Sequence, residues 1–496
     1  MPQLKTDAAR LIAAPFMAAL VLWASLGASL GACLVGMGAR AETALPRFDG
    51  HAHLGVATCA GPCHSRQSAL GIAEGPAMRG NEIIVWQDVN TLRGKHSQAY
   101  QALQGARGKD IARKLGLGDP TRAQECLSCH TDDPAPRFRG PQLLASDGVS
   151  CEACHGGAGA RWLTTHYAPD ATHAKNIANG MYPTDDPAAR ARLCESCHLG
   201  ASAADQYVTH RIMGAGHPRL SFELELFTAL QAHHYEDQDY ARRKPIPNRA
   251  KVWAVGQAVA LRTDLELFLD SPHARAGVFP EETFFDCRSC HRLISDDDSF
   301  RSHWKANPGR PLGPGVPVFN DANLIMLVAA TRVVSPGLAD KLDARGRAFH
   351  AALQVDHASV QSAGKALKDT VGEVQIAFDR AAFGPGAARR ILGEVVSNSV
   401  SDRYTTYASA EQAVMAVDSL TRALADTGQP LPAASPAMGQ TPASGPAASR
   451  PEAQPAKMEI DAAYKAVADP NAYDQGAFQR ALGDVASRLG LSGRNP

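Results

Sequence analysis

Cys126-Leu127-Ser128-Cys129-His130, Cys151-Glu152-Ala153-Cys154-His155, Cys194-Glu195-Ser196-Cys197-His198 and Cys287-Arg288-Ser289-Cys290-His291 repeat one pattern. Cys59-Ala60-Gly61-Pro62-Cys63-His64 repeats it with one residue added to the spacer. Random placement of this chain's 11 Cys and 18 His over 496 residues would give about 0.01 copies of Cys-x-x-Cys-His. The repeat is therefore a site and not composition. It is the attachment signature of c-type haem: two thiols add to the porphyrin vinyl groups and the histidine becomes the proximal iron ligand. The ten cysteines expected to hold haem are Cys59, Cys63, Cys126, Cys129, Cys151, Cys154, Cys194, Cys197, Cys287 and Cys290. The proximal ligands are His64, His130, His155, His198 and His291.

Two other uses of paired cysteines compete. A disulfide framework gives no reason for a histidine after every second cysteine. Structural zinc also takes Cys pairs, but it wants a second pair or a His-x3-5-His element, not His at the next position. Five covalently attached haems are the expectation.

Thirteen histidines remain. A second imidazole on the far side of each iron is the simplest use for those in the motif-bearing half. His53, His96, His166, His210 and His217 are the leading candidates, from their closeness to motifs or to helix-like and glycine-rich runs. His51, His173, His233, His234, His273 and His303 form a second group, suited to propionate hydrogen bonds or to solvent. His350 and His357 read as ordinary helix residues. Met78, Met181 and Met213 are the methionines among the motifs, and two-imidazole ligation, with its lower potential, is expected ahead of His/Met.

The run from His53 to Phe222 resembles the multihaem cytochromes of the c-554/c-prime group. The resemblance is carried by a histidine upstream of the first motif, by the segment Trp86 to Tyr100 and by Cys126 to Thr131. Gly148 to Gly156 and the later His166 complete it. Cys194 to Glu223, and a last motif opening Phe285-Asp286-Cys287 before a helical tail, resemble larger multihaem relatives. The resemblance spans about residues 50–320. It implies haems stacked in close pairs with mostly two-histidine ligation. The expected fold is mainly α: a multihaem cytochrome c domain with little regular structure around stacked haems, then an α-helical domain.

Residues 1–41 read as an export signal. A basic start and an apolar run over 11–38 lead to Ala39-Arg40-Ala41, a small-x-small cleavage pattern. A lipoprotein box at Leu30-Gly31-Ala32-Cys33 and an uncleaved N-terminal anchor are the competing readings. Export to the periplasm agrees with haem attachment. Residues 42–315 hold every motif. Residues 316–428 carry near-helical spacing, from Leu338, Leu342 and Phe349 on to Phe378, then a helix with a capping box at Ser409 and Gln412. Residues 429–457 are a Pro/Ala-rich linker, and 458–496 a helical hairpin broken at Tyr473-Asp474.

The formal charge is +0, from 50 basic and 50 acidic residues, and no basic block marks a nucleic-acid footprint. A Ser/His/Asp triad or nucleotide fingerprint is not evident. The leading reading is a periplasmic electron carrier, in which the protein sets haem spacing and ligation. An oxidoreductase acting on a small nitrogen or sulfur compound is the alternative. It needs one haem with an open sixth position, and the atypical first motif is the natural suspect. A third reading makes the helical tail a docking element. All three imply redox partner proteins, among them a membrane-associated quinol oxidase or reductase.

Overall fold

The computed structural model describes residues 43–61, 64–65, 82–204, 206–233, 246–272, 281–291, 307, 309–313, 316–384, 386–426 and 456–491. The expected export signal, Cys33, Cys63, Met78, residues 429–455 of the Pro/Ala-rich linker, His234, His273 and His303 lie outside these residues. The chain is mainly helical, and its two halves are built differently.

The first half uses short helices. They are α1 (Val56–Cys59), α2 (Glu82–Trp86), α3 (Ala99–Gln104), α4 (Ala106–Leu115), α5 (Gln124–His130), α6 (Glu152–His155), α7 (Trp162–Thr165), α8 (His173–Ala178), α9 (Pro187–His198), α10 (His210–Gly214) and α11 (Leu224–Gln231). Two-residue strands β1 (Gly200–Ala201) and β2 (Gln206–Tyr207) pair antiparallel after α9. Capping side chains start the later helices. The Asp186 carboxylate accepts from Ala189 N–H at 2.8 Å beneath Pro187 at the first position of α9. Among the described residues, only Ala158, Ala160 and Trp162 form an apolar cluster of buried side chains apart from the main core. Little regular structure surrounds the motifs because little apolar side-chain surface is there to fold around.

The second half is a packed bundle of α12 (Arg249–Asp270), α13 (Ala322–Val334), α14 (Pro336–Ala352), α15 (His357–Arg380), α16 (Ala387–Val400) and α17 (Tyr407–Asp426). Helix α12 is buried on every side from Val252 to Leu261, as expected of a helix at a bundle centre. Its Gly256 permits α11 to lie close, since a Cβ there would meet Leu224 Cβ at 2.7 Å. The boundary expected at 315/316 is no gap in packing: α12 precedes it and shares one core with α13, α15 and α17. The apolar run through Leu338 and Phe378 is two helices, parted at Gln354–Asp356, where the Asp356 carboxylate caps α15 through Ser359 N–H. The cap of α17 is Thr406, whose hydroxyl accepts from Ser409 N–H at 3.2 Å. Gln412, read as the capping-box partner, instead donates to Phe222 O and Asn323 Oδ1.

The C-terminal helices α18 (Lys457–Ala466) and α19 (Gln475–Arg488) meet at a break capped by Asp474, which accepts from Ala477 N–H at 2.6 Å. They pack on α16 and α17, held by Tyr407 OH donating to Val467 O at 2.8 Å and Tyr464 OH to Asp418 at 3.1 Å. Among the described residues, no helix is long and apolar enough to cross a membrane.

Candidate haem sites

Spacing of three and four residues puts two cysteines and a histidine on one helical face. In α5 and α9 the motif is the last turn of the helix, and α6 opens on the residue after Cys151. The fifth motif begins as a 3-10 turn, Cys287–Ser289. In the first, α1 ends at Cys59, before the added spacer residue, and His64 follows outside the helix.

Each motif-closing histidine faces a second histidine. His64 lies 6.3 Å from His166 between ring centroids. His130 lies 6.5 Å from His217, and His155 lies 6.3 Å from His233. His198 is 6.2 Å from His96, and His291 is 5.9 Å from His210. A ligating imidazole nitrogen sits about 2 Å from its metal and about 1 Å from its own ring centre, so two rings sharing an ion lie about 6 Å apart. The five gaps fit one iron each.

The hydrogen bonds agree. The Nδ1–H of His130 donates to Ala99 O at 2.8 Å, that of His166 to Leu163 O at 2.7 Å, and that of His217 to Pro218 O at 2.8 Å. His64 Nδ1 donates to the Glu82 carboxylate at 3.2 Å. A carbonyl or carboxylate can only accept, so in these rings Nε2 keeps its lone pair for a metal. Burial pulls the pKa of His96 down to about 4, helped by the nearby His198 and His233, and it also lowers His198, His217 and His233. Neutral imidazole is the form that ligates. His64 is the exception: hydrogen bonding to Glu82 raises its pKa, the effect of a carboxylate that makes a ligating ring more basic. Among the described residues, no three His, Cys, Asp or Glu converge as a cluster for a bare ion.

Four of the five leading candidates, His96, His166, His210 and His217, stand opposite motif histidines. His53 does not. It is fully buried, its Nδ1 donates to Asp132 at 2.8 Å, and its Nε2 lies 3.2 Å from Pro46 O. With both nitrogens engaged it has none for iron. Burial lowers its pKa, but the Asp132 carboxylate outweighs this and raises it overall. The fifth facing histidine is His233, from the second group, which stands opposite His155. The remaining described histidines serve elsewhere: His173 pairs with Asp185 at 2.8 Å, His350 is buried against Gly346 O, and His51 and His357 are exposed.

Two glutamates in motif spacers were not singled out from sequence. Glu152 accepts from the backbone N–H of Leu54, Gly55 and Ala158 at 2.6–2.7 Å, tying the third motif to the chain before the first. Gly55 is obligatory there, with φ +99° and Gln142 O where a Cβ would stand. Glu195 accepts from Thr263 of α12 at 3.2 Å, and burial holds its carboxyl well above the usual range. Cys59 contacts Cys151, and Cys129 contacts Cys197, so first and third motifs are neighbours, as are second and fourth.

Residues 85–156 match the family model for cytochrome c554 and c-prime, a span holding Trp86, His96 and the second and third motifs. This stretch of the chain is similar to a c-type cytochrome. Haem binding and electron transfer follow from that match. No curated protein matches the chain, and no solved structure does.

Proposed function

We propose that this chain is an exported, periplasmic electron carrier holding five c-type haems, each between two histidines. The thiols of the ten motif cysteines would anchor them. The ligand pairs would be His64/His166, His130/His217, His155/His233, His198/His96 and His291/His210. The bound groups supply one-electron chemistry. The chain's own residues fix the rings: carbonyls and Glu82 hold Nδ1–H bonds that leave Nε2 to the iron.

One observation carries this reading. Every motif histidine has an opposite histidine at 5.9–6.5 Å, the atypical first motif included. A small-molecule reductase would need one left open, so the pairing favours the carrier. Redox partner proteins donate and accept the electrons.

The test is haem content per chain by the pyridine haemochrome assay, with paramagnetic resonance of the oxidised protein. Five low-spin haems, none binding nitrite or carbon monoxide, are expected. Fewer than five haems, or one high-spin haem that binds such ligands, would refute the reading.

A further inference from the structure

We infer that the exposed face of α4 is the docking surface for an acidic redox protein, with the His130/His217 site as its electron port. The inference rests on the haem reading above. In a chain whose formal charge is +0, this surface gathers Arg107, Lys109, Arg113, Lys114, Arg122 and Arg211, all exposed, against Asp110 and Asp119. Arg113 and Lys114 share Asp110, at 2.6 and 2.8 Å. The Asp119 carboxyl feels both Arg122 and Lys109, so these join the same patch.

The patch is fastened to the haem ligand. Arg107 Nε and Nη2 both donate to Gly216 O, at 3.0 and 2.7 Å, one residue before His217. A Cβ on Gly216 would lie 4.0 Å from Lys114 Nζ. Arg211 Nη2 donates to Leu115 O at 2.7 Å, from the helix that also bears His210. These carbonyl acceptors are neutral, and among the described residues neither Arg107 nor Arg211 pairs with a carboxylate. A positive field at a haem edge steers and orients a negatively charged partner. The occupant is therefore a protein with an acidic surface.

Lys109→Glu/Arg113→Glu reverses two charges at exposed positions, and Arg345→Glu/Lys365→Glu on α14 and α15 is the control. Reduction of the haem-loaded full chain by an acidic flavodoxin hydroquinone is followed by stopped flow at low and at high salt. At low salt the α4 variant should be at least about tenfold slower than wild type and control, with the difference gone at high salt. Equal rates for α4 variant and control at low salt would overturn the port. So would an unchanged flavodoxin rate with lost binding to phosphatidylglycerol vesicles, which would assign the patch to an anionic membrane surface. A purified chain without haem absorbance would overturn the proposed function and the port with it.

Discussion

Replacing His233 and His53 by alanine, one at a time, should give opposite phenotypes. His233 stands 6.3 Å from His155, so His233→Ala should free one coordination position. One haem in five should turn high-spin and bind carbon monoxide, with the fold kept. His53→Ala should leave all five low-spin and cost stability. Asp132, whose side chain is 2% exposed, would keep only the Ser150 hydroxyl as side-chain partner. Stranding a buried carboxylate costs about 3–5 kcal/mol. The sign with pH follows from the raised pKa of His53. Its contribution is complete below the unfolded value near 6.5 and fades as pH climbs through the higher folded value. Wild type should therefore lose stability across that window, and His53→Ala should not. Paramagnetic resonance and denaturant unfolding against pH read both effects. A high-spin haem in His53→Ala, with none in His233→Ala, would refute the assignment.

The buried Arg310 bonds Asp321 at 2.7 Å and lies 3.5 Å from Asp343. Arg310→Met should destabilise by about 3–5 kcal/mol, and Arg310→Met/Asp321→Leu should recover much of this in thermal unfolding. Burial raises the Glu223 carboxyl to about 8, so its folded state is penalised increasingly as pH rises from about 4.5 to 8. Glu223→Gln should gain up to about 3 kcal/mol at pH 7 and nothing at pH 4, measured by urea unfolding. Serine at all ten motif cysteines should block haem attachment and leave the motif-bearing half open to limited proteolysis. The fragment from about residue 246 should resist, because the main core lies mostly there. Equal resistance throughout would count against a haem-dependent fold.

The motifs and the helical tail could be read in sequence because both rest on local spacing. Cys, Cys and His share one turn, and Leu342, Phe349 and Phe378 keep the helical period. Helix α12 could not be read that way: buried on all sides from Val252 to Leu261, with Gln257 its one polar side chain there, it has no polar face to set a period. His233 was passed over for a different reason. Nearness to a motif promoted His53, whereas the facing partners come from about 80–100 residues away along the chain. What could have hinted at His233 is its place just after α11, whose Phe227 packs against His198 at 5.5 Å, as does Phe222 at 5.1 Å.

Those long separations also interlace. The spans 64–166, 96–198, 130–217, 155–233 and 210–291 each begin before the previous one ends. A chain emerging from its N-terminus can thus complete no proposed ligand pair until His166 is out, and the second and third motifs must wait for His217 and His233. The fourth and fifth find their partners already delivered. Assembly is then late and nearly simultaneous, and a chain cut short between His198 and His217 would strand the second and third iron sites at once.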